Sequence, residues 1–302
     1  MLTTWVISGS FYCFQLSSLC PSLHNPSSVV PVASATISQA NLQEMQRLFR
    51  LATQKLDDGE YEQAIEIYTT LLNLDPSIHE AYTNRGIAKY HLKSFQSAIQ
   101  DFEMALKIKE TDFWALAYRG IVHRESGNLQ QAIDDLNRAI QIKPSESLFY
   151  YERAITKVLL NNYQSAIADL GKAISIEPKN LEFRLLKASL YRDTGNCLDA
   201  IQDYNAILKL DSRNSFAYLG RGICSITKNP QSAIKDFDTA LKYLPSLTTV
   251  YKYRGLAYMM LNQVQQGCSD LAKAIQSDPG FRKSNPMPIY QEFLKAYSSY
   301  CK

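Results

Sequence analysis

The sequence predicts an all-α solenoid of about seven stacked helix-turn-helix repeats, and three observations carry that expectation. A small residue recurs at Ala64, Ala98, Ala132, Ala166, Ala200, Ala233 and Gly267, at intervals of 34, 34, 34, 34, 33 and 34 residues. A fixed period of this size marks an array of helix pairs, each of which buries its apolar face only against its neighbours. Within a period, apolar residues keep helical spacing. Leu129, Ala132, Ile133, Leu136, Ala139 and Ile140 step by 3, 1, 3, 3 and 1, one face of a helix and not a period-two strand. Finally, turn formers fall at fixed offsets. Gly127 separates the two halves of the third repeat, and Pro144 closes its second half.

Taken in chain order, the first 44 residues are different in kind. Glu44 is the only charged side chain before Met45, and Trp5, Val6, Ile7 and Phe11 belong to a moderately apolar stretch from Leu2 to Cys20. Serines and threonines interrupt it too often for a membrane span, which needs about 20 mainly apolar residues. Ala33-Ser34-Ala35 looks like a signal-peptidase site that would leave a mature start near Thr36. Against that, no Lys or Arg precedes Arg47, where a signal peptide wants a basic start. Export (periplasmic or lumenal) with cleavage and a cytoplasmic chain with a disordered tail or a misassigned start both stand as readings, and membrane association is open. Prolines and serines before about Asn41 give that segment no place in the array.

The seven repeats occupy 45–78, 79–112, 113–146, 147–180, 181–214, 215–247 and 248–281, each a pair of helices about 12 to 15 residues long. Gly59, Gly195, Asn161 and Asn262 stand where Gly127 does and suit a left-handed helix cap. Lys93 departs from that pattern, and the sixth repeat has lost a residue there. Pro76, Pro178, Pro245 and Pro279 match Pro144, while Glu110 and Ser212 do not. After Pro286, the apolar run Ile289, Tyr290, Phe293, Leu294, Tyr297 and Tyr300 predicts a capping helix over 286–301 that covers the last repeat.

Composition excludes more than it suggests. With 32 basic and 29 acidic side chains the net charge is only +3, and no basic stripe points to nucleic acid. His24, His79, His91 and His123 show no i, i+4 metal spacing, and Gly171-Lys172 lacks the upstream glycine of a phosphate loop. No metal, cofactor or catalytic residue is expected. The six cysteines, Cys13, Cys20, Cys197, Cys224, Cys268 and Cys301, form no framework by spacing. Cys197 and Cys268 fall at helix-packing positions, where buried free thiols are expected.

The second repeat supplies Tyr82, Gly86, Phe95, Ala98, Phe102 and Ala105, and the seventh Tyr251, Gly255, Tyr258, Leu271, Ala274 and Pro279. This pattern resembles the tetratricopeptide repeat, and the resemblance covers about 237 of 302 residues. It implies a right-handed superhelix and ligands held in a concave groove lined by the first helices. The positions facing that groove would include Phe49, Thr83, Asn84, Ile87, Trp114, Ala117, Tyr118, Ile121, Tyr151, Ile155, Phe216, Ile223, Lys252 and Tyr253. The chaperone-tail carboxylate clamp of the family is not matched, since Phe49 and Thr53 occupy its first two positions. An aromatic-rich groove suits an extended peptide or an amphipathic helix. Trp114, Tyr118 and Tyr151 are the expected anchors, with Asn84, Phe216 and Tyr253 as further contacts.

A second constellation comes from comparing repeats with one another. Arg85, Arg119, Arg153, Lys187, Arg221 and Arg254 precede the small residue of each first helix in repeats two to seven. Asp101, Asp135, Asp169, Asp203, Asp236 and Asp270 follow the central small residue by three. The first repeat has neither, with Leu51 and Ile67 at those positions. Joint presence and absence predict a structural ion pair between the two helices of each repeat. The function expected is therefore a non-enzymatic scaffold for protein–protein interaction. Two alternatives are an assembly or transport accessory at an envelope or membrane, and, more remotely, an enzyme with the array as substrate channel.

Overall fold

Fourteen helices follow one another with no strand among the described residues, which in this computed structural model are 39–277 and Cys301. The apolar amino-terminal stretch, the Ala33-Ser34-Ala35 motif and the capping run up to Tyr300 lie outside them. The first helices of the seven repeats are Gln39–Asp57, His79–His91, Phe113–Glu125, Ser147–Leu159, Leu181–Asp193, Ser215–Ser225 and Thr249–Met260. Their second helices are Tyr61–Leu74, Phe95–Ile108, Leu129–Ile142, Tyr163–Ile176, Cys197–Leu210, Pro230–Tyr243 and Val264–Ser277.

Two lengths depart from the expected range. The first helix runs for 19 residues and starts at Gln39, ahead of the repeat register at Met45. Gln, Ala, Leu and Glu between those points are good helix formers, and no breaker intervenes. The first helix of repeat six has only 11 residues, as the missing residue requires. Its partner restarts on Asn229, whose side chain accepts from the Ser232 amide, with Pro230 in the first turn.

The other six inter-helix turns each carry one left-handed residue: Gly59, Lys93, Gly127, Asn161, Gly195 and Asn262, with φ between 57° and 82°. Lys93, the residue the sequence pattern leaves out, adopts φ 57° like the rest. The helix pair imposes the turn geometry even where a Cβ makes it costly.

Contacts divide the described residues into two compact bodies, 39–169 and 170–277 with Cys301. In each, a first helix packs on its own second helix, and that second helix packs on the first helix of the next repeat. The alanines that set the period, Ala64, Ala98, Ala132, Ala166, Ala200 and Ala233, are wholly buried. Around them sit Tyr68, Phe102, Leu136 and Phe149 in the first body and Tyr204, Ile207, Phe237 and Leu271 in the second. Helices approach closely because the first of each pair presents a small residue. A Cβ on Gly86 would lie 2.6 Å from the Phe102 ring, so the aromatic fills the space the glycine leaves.

One sequence expectation is corrected. Cys268 is not a free thiol but is joined to Cys301 in a disulfide with Cα atoms 5.5 Å apart. Residue spacing cannot reveal this, because Cys301 lies beyond the repeat register, where the periodic pattern gives no distances. Cys197 and Cys224 remain free, the first half-buried and the second buried.

Candidate functional site

The repeated cation and aspartate come together across the two helices of every repeat from two to seven. Arg119 donates from Nε to one Asp135 oxygen at 2.8 Å and from Nη2 to the other at 2.7 Å. Arg85, Arg153, Arg221 and Arg254 hold Asp101, Asp169, Asp236 and Asp270 with the same two-pronged geometry. Lys187 meets Asp203 at 3.1 Å with a single ammonium. All the aspartates except Asp203 are buried. Such carboxylates are tolerated because a guanidinium fork satisfies both oxygens, and at Asp101 and Asp169 a lysine, Lys89 or Lys157, adds a second cation at 2.7 Å. Four of the arginines also lie over a tyrosine three residues earlier, at 5.4 to 5.7 Å from the ring centre.

The third nitrogen of the fork does something that the sequence comparison does not anticipate. Nη1 of Arg85 reaches back to Thr69, that of Arg153 to Asn137, that of Arg221 to Asn205 and that of Arg254 to Asp238, at 2.6 to 3.0 Å. Each acceptor lies 16 residues upstream, on the second helix of the preceding repeat. The arginine thus ties its own helix pair together and also fastens it to its neighbour. Lys187 has Gly171 at the corresponding position, a residue with no side chain to offer. The available signal was a polar residue two positions after the aspartate place of a repeat, varied in type and so easy to overlook.

Of the expected groove residues, Trp114 and Tyr118 meet in a run of rings in the first body. From one end, Tyr61 stacks on His91 at 4.6 Å, His91 neighbours Tyr90 at 5.2 Å, and Tyr90 meets Tyr118 at 6.1 Å. Tyr118 then meets Trp114 at 6.2 Å, and Trp114 meets Phe149 edge-on at 5.3 Å. Phe149 is fully buried, whereas Trp114 and Tyr118 are half-buried. The inner rings therefore brace the outer ones, and the outer ones keep surface to offer. Tyr151 is half-buried on the next first helix, two residues past Phe149.

The start of the Trp114 helix is fixed by Asp112. Its Oδ1 accepts from the Trp114 and Ala115 amides at 3.1 and 3.0 Å, an N-cap. Its Oδ2 accepts from the Thr83 hydroxyl at 2.8 Å and lies 2.8 Å from Nδ1 of His79, both on the first helix of repeat two. Glu80 holds the other His79 nitrogen at 2.9 Å. Burial alone would lower the imidazole's pKa, but hydrogen bonds to Asp112 and Glu80 raise it to about 9. At Asp112 burial pushes the carboxyl up, yet the bonds from His79, the Ala115 amide and Thr83 outweigh it and hold the group below its usual range. Beyond this, Arg124 pairs with Glu152, joining the first helices of repeats three and four.

Asn84 donates to the Tyr68 hydroxyl at 3.0 Å, and Tyr68 also pairs with Thr53 at 2.9 Å, so the amide is engaged inside the array. Phe216 and Tyr253 are half-buried in the second body, where Tyr253 lies 6.4 Å from Phe237 and 5.1 Å from the Lys252 ammonium. Among the described residues, no group of three or more His, Cys, Asp or Glu side chains is placed to hold a metal ion. No helix among them is long and apolar enough to cross a membrane.

Known proteins share this architecture. The C-terminal part of a TPR repeat-containing protein from Cytophaga hutchinsonii superposes with a TM-score of 0.65 at 17% identity, covering 83% of this chain and 98% of that one. YrrB, described as a TPR protein with an unusual peptide-binding site, gives 0.54 at 17% identity, over 61% of this chain and 95% of its own. At these identities the likeness concerns the fold. Among curated proteins, the mitochondrial import receptor subunit TOM70 of Rattus norvegicus is 25% identical over 120 residues, 38% of this chain and 20% of that protein. A probable UDP-N-acetylglucosamine–peptide N-acetylglucosaminyltransferase SPINDLY of Solanum lycopersicum is 28% identical over 95 residues, 31% of this chain. The matched stretch is only 10% of that protein's length. Tetratricopeptide repeat models match residues 49–113, 119–146 and 151–215, which is 65, 28 and 65 of the 302 residues and therefore more than half. With the 34-residue period, the helix pairs and these matches in agreement, the chain belongs to the tetratricopeptide repeat family.

Proposed function

We propose that the chain is a non-enzymatic scaffold that binds an extended peptide or an amphipathic helix on the aromatic surface of repeats two to four, with Trp114, Tyr118 and Tyr151 as anchors. The observation that carries the reading is the braced ring run. Buried Phe149 packs against Trp114 and half-buried Tyr90 against Tyr118, and both Trp114 and Tyr118 stay half-exposed. Rigid aromatics lose little conformational freedom on binding and dominate interface hot spots. The peptide-binding site named for YrrB and the receptor role named for TOM70 are in keeping with a protein or peptide partner. The transferase named among the relatives supplies no activity here, because a tenth of its length is matched.

Peptides selected from a displayed library against the full chain provide the test. Trp114→Ala and Tyr151→Ala should each weaken binding by about 2 kcal/mol while the variants remain folded at the assay temperature. A folded Trp114→Ala that binds like the parent overturns the anchor assignment. Loss of binding only in step with a lowered melting temperature means that the ring serves packing alone.

A further inference from the structure

The second body holds two pairs of cysteines in different states. Cys268 and Cys301 are bonded, whereas Cys197 and Cys224 are both thiols. They are not independent thiols. They share one packed cluster, at the contact between the second helix of repeat five and the first helix of repeat six. Cys197 is the first residue of the second helix of repeat five, and Cys224 stands next to last in the first helix of repeat six. Cys224 belongs to the buried cluster of Ala188, Ala200, Tyr204, Ile207 and Ala217, against which Cys197 packs from its rim. Access therefore differs sharply. Cys224 is 6% exposed, whereas Cys197 is half-buried at a helix start.

We propose that Cys197 and Cys224 form a redox modification site that takes a small thiol disulfide of the glutathione type as its oxidant and closes into an intramolecular disulfide. The reachable sulfur reacts first. Cys197, as thiolate, attacks one sulfur of glutathione disulfide; the S–S bond breaks, one glutathione leaves and picks up a proton, and a Cys197–glutathione mixed disulfide remains. Cys224 then loses its proton to solvent and attacks the Cys197 sulfur, expelling the second glutathione. The balance is two protein thiols oxidised to one disulfide and one glutathione disulfide reduced to two glutathione thiols.

Burial pushes the Cys224 thiol's pKa up, and the neighbouring Cys197 adds to it, while the nearby Arg192 charge acts in the opposite direction. Cys224 is therefore a poor first nucleophile. Once Cys197 carries a leaving group beside it, proximity replaces acidity as the source of its reactivity. Bond formation requires the sulfurs to close to about 2.05 Å, a movement across one helix–helix contact. The product joins neighbouring repeats covalently across a sequence separation of 27 residues, 224 minus 197.

The test uses the full chain treated with glutathione disulfide, alkylated, digested with trypsin and mapped by mass spectrometry. Lys209, Arg213 and Arg221 lie between the two cysteines, so a linked pair appears as two cross-linked peptides. The expected result is a Cys197–Cys224 link that forms on treatment, beside an unchanged Cys268–Cys301 link. In Cys224→Ser the reaction should stop with glutathione retained on Cys197. Recovery of both cysteines alkylated, each with its own glutathione, or linked to other partners overturns the proposal. The mapping of the parent chain alone decides this, so it holds whether or not the serine variant folds.

Discussion

Repeats five and six are neighbours in one body with the same helix-pair design, yet they are fastened differently. In repeat six, Arg221 grips both oxygens of Asp236 and reaches Asn205 of the previous repeat at 2.7 Å. In repeat five, Lys187 meets Asp203 at 3.1 Å and has only Gly171 behind it. Its ammonium leans over Tyr191 at 5.2 Å instead. The fold tolerates either arrangement, so the ion pair does not dictate the helix pair; apolar packing around Ala200 and Ala233 does. What the arginine adds is coupling between repeats, because a planar fork with several donors serves two helices where a single ammonium serves one.

The largest effect expected from this difference comes from removing each cation. Arg221→Met leaves the buried Asp236 uncompensated and should cost about 3 kcal/mol in denaturant unfolding at neutral pH. Lys187→Met should cost about 1 kcal/mol, since a single ammonium contact is lost and Asp203 is less buried than Asp236. Equal losses would mean that bidentate geometry and the reach to Asn205 contribute nothing.

A smaller effect tests packing in place of charge. Where repeat five has Ala188, repeat six has Gly222, and a Cβ there would lie 2.6 Å from the Phe237 ring. Gly222→Ala should therefore destabilise by about 2 kcal/mol despite alanine's better helix propensity. A stabilised variant, measured by thermal melting, would show that the ring moves aside freely.

The smallest effect is a gain. Installing Lys187→Arg together with Gly171→Asn rebuilds in repeat five the fork and acceptor of repeat six. A double-mutant cycle should give a favourable coupling of about 1 kcal/mol between the two changes, beyond what removal of a helical glycine yields alone. Strictly additive changes would show that the introduced guanidinium and amide do not meet.

These comparisons also show why some features can be read from the chain and others cannot. The helix pairs are legible because burial repeats with the helical period, so Leu129, Ala132, Leu136 and Ala139 announce one face. The cation and aspartate positions can be matched because they vary together inside a repeat, Leu51 and Ile67 replacing them in concert in the first. Thr69, Asn137, Asn205 and Asp238 could not be matched in the same way, because any short polar acceptor serves and the partner belongs to the next repeat. Asn84 is similar. Its engagement by Tyr68 follows from a buried tyrosine hydroxyl needing partners, a hint that lies in the choice of Tyr where repeat two has Phe102. The left-handed turn at Lys93 contradicts local preference, since the helix pair overrides it. Cys268–Cys301 depends on chain beyond the periodic region, where the pattern gives no distances.

Asp112 closes the account of the aromatic surface, since one carboxylate both caps the Trp114 helix and holds His79. The imidazole's pKa is raised from its ordinary value of 6.5 to about 9, so its contribution to stability is complete below the ordinary value and vanishes as pH rises through the raised one. Local fraying in the first turn of the Trp114 helix is then proton-linked. Hydrogen exchange at the Trp114 and Ala115 amides, corrected for intrinsic rates, should accelerate above about pH 9 in the parent and lose that alkaline dependence in His79→Gln. The edge of the proposed binding surface thus reports, through a single turn of helix, on the charge of a residue in the preceding repeat.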